Sequence, residues 1–144
     1  LFRSFEALMK AFPKDLEFLY LHFEDCKSPD DECFLTLIES LRTFKELKEL
    51  HIFVSNWKIT DGAIAKVSPV LSKLTKLVEF KLCVSECELL TEKAIKKVAE
   101  ECLKMKNLKI LEIITKICPK IKFNKVTFSS HFDRYRNIEY CFEN

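Results

Sequence analysis

The run Leu47-Lys48-Glu49-Leu50-His51-Ile52-Phe53-Val54 decides the fold, because it returns along the chain with little change. Leu16-x-x-Leu19-x-Leu21-x-Phe23 precedes it, and Leu77-x-x-Phe80-x-Leu82-x-Val84 and Leu108-x-x-Leu111-x-Ile113-x-Thr115 follow. The leading residues Leu16, Leu47, Leu77, Leu108 and Ile138 are separated by 31, 30, 31 and 30 positions. Within each run the apolar residues alternate, which is the signature of a strand with one buried face. A fixed period of this size marks an array of stacked units, each burying its apolar face only against its neighbours.

Outward from each strand lies a helical pattern. Phe34, Leu37, Leu41 and Phe44 are matched by Ile64, Val67, Leu71 and Leu74, and again by Ile95, Val98, Cys102 and Met105. Spacings of three, four and three place each quartet on one helix face. Pro29-Asp30-Asp31, Thr60-Asp61-Gly62 and Thr91-Glu92 supply acceptors for the free N–H groups at the helix starts. Pro69 predicts a kink or early break in the second helix. In the last unit Phe128, Phe132 and Tyr135 are the best helical candidates, although they run out of step with the columns above. Phe5, Leu8 and Phe12 read as the helix of a preceding unit, ended before Pro13.

These patterns divide the chain into one domain over 1–144: a partial unit at 1–15, repeats at 16–46, 47–76, 77–107 and 108–137, and the start of a fifth at 138–144. Past each strand, Cys26, Cys87 and Cys118 stand ten positions after the leading Leu, with Asn56 one position earlier in the second unit. A small polar or thiol side chain there sits inside the turn and bonds backbone groups otherwise buried without partners. We therefore expect Cys26, Asn56, Cys87 and Cys118 to form a structural ladder.

Composition narrows the function. Of 144 residues 48% are apolar and 32% charged, which suits a globular chain with a sizeable core. The net charge of +2 gives no bulk electrostatic case for nucleic acid. Lys93, Lys96, Lys97, Lys104 and Lys106 cluster locally but are interrupted by Glu100 and Glu101, so they read as a solvated helix face. No apolar run is long enough to span a bilayer. The single glycine, Gly62, excludes glycine-rich phosphate loops. Seven cysteines, an odd number without a signal-peptide pattern, read as reduced thiols rather than a disulfide framework. The expected location is intracellular, with the cytoplasm first and a mitochondrial or ciliary setting as alternatives. The chain opens at Leu1 rather than Met, which leaves room for a leader or upstream domain.

The L-x-x-L-x-L strand, the Asn or Cys after it and the helix before the next strand resemble leucine-rich repeats, with helix-bearing units close to the ribonuclease-inhibitor-like class. Ile59-Thr60-Asp61-Gly62 and Val98-Ala99-Glu100-Glu101-Cys102 resemble elements of the cysteine-containing repeats of F-box substrate receptors. The resemblance implies an α/β solenoid of about four repeats, with a curved parallel sheet on the concave side and helices on the convex side. For function it implies protein binding. Three settings are carried forward: a non-catalytic scaffold or structural subunit of an intracellular assembly, the substrate-recognition module of an F-box-type ubiquitin ligase, or a short leucine-rich-repeat protein associated with mitochondrial ATP synthase.

The exposed strand positions carry the binding hypothesis. Phe18, Tyr20, His22, His51, Phe53, Lys81, Cys83, Ile110, Glu112, Ile114 and Tyr140 fall there. Aromatic and aliphatic groups beside isolated charges make the composition of an interface hot spot. His22, His51 and Cys83 invite a metal reading, but Phe53 stands between His22 and Cys83 and no short ligand motif supports zinc; no metal or other cofactor is expected. No catalytic residue is assigned, because His22 and His51 lie on strands with no positioned Asp in register and His131 falls in the poorly fitting last unit.

Overall fold

The structure is a computed structural model that describes residues 2–23, 29–129 and 139–141. Four parallel strands follow one another across a sheet: β1 (Phe18–Phe23), β2 (Glu49–Ser55), β3 (Glu79–Ser85) and β4 (Ile110–Ile114). Their register matches the sequence columns. Leu19, Leu50, Phe80 and Leu111 stand side by side, as do Leu21, Ile52, Leu82 and Ile113. Each unit also locks to the one before it just ahead of its strand. The N–H groups of Lys48 and Glu49 donate to the Glu17 carbonyl, those of Val78 and Glu79 to Lys48, and those of Lys109 and Ile110 to Val78.

Helices cover one face of this sheet: α1 (Phe2–Ala11), α2 (Asp31–Ser40, extended by a 3₁₀ turn at Leu41–Thr43), α3 (Asp61–Ile64), α4 (Val67–Leu71) and α5 (Glu92–Cys102). The helix quartets and the inward strand residues, apart from the partly buried Met105 and Phe23 that pack against them, join one buried cluster in which most members have no exposed surface. Pro69 acts as its ring predicts. It would meet the carbonyl of Ala65, and the helix is divided between Ile64 and Val67 into α3 and α4. Among the described side chains of α1, Met9 is buried and Leu8 is 41% exposed.

After β2, β3 and β4 the chain turns through a left-handed residue: Asn56 (φ 59°), Glu86 (φ 55°) and Ile117 (φ 57°), all nine positions after the leading Leu. The N–H groups of Asn56 and Glu86 donate to the carbonyls of Ser85 and Lys116 in the next unit. The following residue points inward. Cys87 and Cys118 are buried there, with Cys87 Sγ 3.4 Å from the Ser85 carbonyl and Cys118 Sγ 3.2 Å from that of Val84. In the second unit the inward residue is the buried Trp57, and Asn56 is exposed. Asn56 thus supplies backbone geometry rather than a rung, correcting its placement in the ladder; Cys26 lies outside the described residues.

A second ladder ties the helix starts together. Asp31 accepts from both the N–H and the hydroxyl of Thr60, Asp61 does the same for Thr91, and Glu92 accepts from the N–H of Lys122. Thr91 also accepts from the Ala94 N–H while donating to Asp61, so it caps α5 as well, whereas Thr60 makes no side-chain cap to α3.

The last unit departs from expectation. After β4 the described chain forms β5 (Lys125–Ser129), antiparallel to β4, and β6 (Glu139–Cys141) pairs antiparallel with β5. Phe128 is therefore a buried strand residue and not part of a helix; Phe132 and Tyr135 lie outside the described residues. Val126 and Phe128 alternate with polar residues, a period of two that cannot line one helix face. Thr115 fixes the reversal, donating its N–H to Asn124 O (2.7 Å) and its hydroxyl to Phe123 O (2.8 Å). The strand near Ile138 is consequently not the first strand of a parallel fifth repeat.

Candidate protein-binding face

Alternation along β1 to β4 leaves one sheet face uncovered by helices among the described residues. Phe18, Tyr20 and His22 line the outer strand and are exposed, Phe18 and Tyr20 by 51% and 56%. Beside them Phe53, Lys81, Cys83, Ile110, Glu112 and Ile114 are half-buried on the same face. Tyr140 does not join them. It pairs with Val126, which pairs with the buried Ile113, so its ring is on the helix side. There it lies 5.1 Å from the Phe123 ring, with the Lys96 ammonium 5.2 Å away. The expected position failed because counting from Ile138 assumed direct continuation of the β4 column, whereas β5 lies between and its register places Tyr140 opposite Val126.

His51 departs in another way. It occupies an open-face position in β2 but is only 9% exposed. The Tyr20 ring meets it edge-on at 4.4 Å, and its Nε2 lies 2.8 Å from Glu79 Oε1. The Tyr20 hydroxyl donates to Glu49 Oε2 at 2.8 Å, which pushes the phenol pKa up because the neighbouring carboxylate disfavours phenolate. Lys81 reaches Glu79 at 2.9 Å and lies 3.9 Å from Glu112, whose other oxygen is 2.5 Å from Lys125. Burial would raise the Glu79 pKa, but hydrogen bonds and charge from Lys81 and His51 outweigh it and hold the carboxyl below its ordinary range. The result is a polar row crossing five strands, from Tyr20 to Lys125, beside an aromatic edge.

Toward the ends of the strands, His22 packs against Phe53 with ring centroids 5.4 Å apart, and a shallow cavity of about 260 Å³ opens between these rings, Cys83, Glu86 and Ile117. Cys83 Sγ lies 3.3 Å from the Ser85 hydroxyl. The histidine and thiol considered together from sequence are thus engaged separately: His22 with Phe53, His51 with Tyr20 and Glu79, and Cys83 with Ser85. The carboxylates Glu49 and Glu79, which hold the centre of the face, were visible in the open-face columns but not as partners of His51.

The architecture is a leucine-rich-repeat fold. Among solved structures the chain is similar to leiomodin-1 actin-binding site 2, with a TM-score of 0.59, 15% sequence identity and coverage of 84% of this chain and 65% of that one. The chain therefore spans about two thirds of the length of the structure it matches. At this identity the likeness establishes the fold and not a partner. No protein-family profile and no curated protein matches the sequence. No described helix is long and apolar enough to cross a membrane, and the six described cysteines are free thiols.

Proposed function

We propose that this chain is a non-catalytic protein-binding module that engages its partner through the open sheet face. The observation that carries the proposal is the exposure of Phe18 and Tyr20 beside His22 and Phe53, next to a polar row whose charges are already oriented. Exposed aromatics of this kind bury large rigid areas at little entropic cost, and flanking charges set register. The arrangement suits a subunit or adaptor in a larger assembly.

The test compares wild type with the Tyr20→Ala/Phe53→Ala double variant in affinity capture from native lysate, followed by reconstitution with the purified candidates. A direct complex weakened by the double change supports the proposal; equal binding by both forms, or recovery of a monodisperse chain alone in both, overturns it. The similar structure is described as an actin-binding site, so co-sedimentation with purified actin filaments belongs among the reconstitutions. Saturable co-sedimentation that depends on Tyr20 and Phe53 would identify actin as the partner.

A further inference from the structure

We propose that Glu49, His51 and Glu79 form a binding site for a divalent transition-metal ion, with zinc the cation their chemistry favours. The residues stand on adjacent parallel strands, with Glu49 directly opposite Glu79 and His51 two positions along β2. One imidazole nitrogen and a carboxylate oxygen from each glutamate all lie within 4.8 Å of one another. An ion bound at about 2.0–2.2 Å per ligand requires its donors to close around it from such a spacing, within the reach of glutamate side chains. One imidazole with two carboxylates is a borderline nitrogen–oxygen donor set, which suits zinc and its first-row neighbours better than magnesium or calcium.

Three features show preparation rather than chance proximity. The His51 ring is nearly buried although its strand position is open, with Nε2 turned toward the carboxylate. Tyr20 covers the ring edge and orients Glu49 through its hydroxyl, the kind of outer support that fixes metal ligands. Two carboxylates supply two negative charges to balance a divalent ion, and the imidazole adds a nitrogen donor. The competing group is the Lys81 ammonium, 2.9 Å from Glu79 Oε1. Lys81 also faces Glu112, 3.9 Å away, so it has a second carboxylate to move to when an ion occupies the first. Three protein ligands leave a coordination position for water or an incoming donor.

The decisive experiment titrates the whole chain, with accessible thiols alkylated, with zinc by calorimetry and with cobalt(II) by absorption. One-to-one saturation without a thiolate-to-cobalt charge-transfer band is expected. Glu79→Gln, which preserves shape, should weaken binding by more than about ten-fold, a loss that even outer-shell changes can reach. Lys81→Met should tighten it, an effect that loss of folding cannot imitate. Absence of saturable binding, loss of binding on alkylation, or equal affinity in wild type and Glu79→Gln would each overturn the site and leave the three residues as a hydrogen-bonded network only. The readout needs no protein partner, so its failure is separable from failure of the protein-binding role.

Discussion

Asp61 holds Thr91 at two points, accepting from its backbone N–H at 2.8 Å and from its hydroxyl at 2.7 Å, across an interval of one full repeat. Both residues are half-buried, and the pair joins the start of α3 to the start of α5. Hydrogen bonds to a charged acceptor contribute more than neutral ones. Asp61→Ala should therefore lower unfolding free energy by about 1–3 kcal/mol, measured by urea denaturation. Asp61→Asn should cost less, since its amide oxygen still accepts one of the two bonds.

The two faces of the sheet should respond oppositely to truncation. Leu50 and Leu82 are buried in the central strands, and alanine at either should cost about 2–5 kcal/mol. Tyr20→Ala should cost far less, because the ring is mainly exposed and its hydroxyl pairs at the surface. Equal destabilisation by Tyr20→Ala and Leu50→Ala would show that the faces are assigned the wrong way round.

Thiol chemistry should sort the cysteines by position. Burial pushes Cys87 and Cys102 up to about 12, so at pH 8 each is almost wholly in the unreactive thiol form. Cys141 is exposed. Iodoacetamide followed by peptide mass mapping should label Cys141 in the native protein and reach Cys87 and Cys102 only on unfolding. Rapid native labelling of Cys102 would contradict the packing of α5.

Glu79 should give the acid limb of stability a measurable share. Its folded pKa is depressed, so its contribution is fully present above the unfolded value near ~4.3 and is lost as pH falls through the folded value. In Glu79→Gln that share is absent at every pH. The difference in unfolding free energy between wild type and variant should accordingly shrink as pH falls below ~4.3, and a constant difference would show that Glu79 is not held low.

Ile117 is a β-branched residue at φ 57°, 79% exposed, where its side chain gains little from burial. A left-handed conformation costs such a residue roughly 1–2 kcal/mol, most of which glycine avoids. Ile117→Gly should raise stability by up to about 1 kcal/mol after the greater entropy of the unfolded chain is subtracted. A higher denaturation midpoint at unchanged slope is the expected reading.

The strand columns, the three helix quartets and the break before Pro69 were legible because each is periodic within one unit. What escaped the sequence is relational. The Asp–Thr clasps join residues about a repeat apart whose pairing depends on stacking, and the left-handed column holds Asn56, Glu86 and Ile117, which share a backbone state but no side-chain chemistry. Trp57 takes the inward turn position that Asn56 appeared to fill, because residue type pointed to one and register to the other. The final hairpin was masked by the period itself: Ile138 kept the spacing while β5 was inserted between β4 and β6, and the pairing with β5 sets Tyr140 opposite Val126 on the helix side. His51 had the open-face position right and the exposure wrong, since a neighbouring aromatic on β1 covers it.

The reversal at β4 gives the sheet two unlike borders. At one border β1 is a six-residue strand with a single strand neighbour among the described residues. At the other border β6 is three residues long and runs against β5. Short border strands present few unpaired backbone groups and discourage further pairing. Among the described strands, β1 thus offers the longer edge for strand addition and β6 the shorter one. Among the described residues, two copies paired edge to edge through β1 would form a two-fold arrangement, which ends with the pair instead of propagating into a filament.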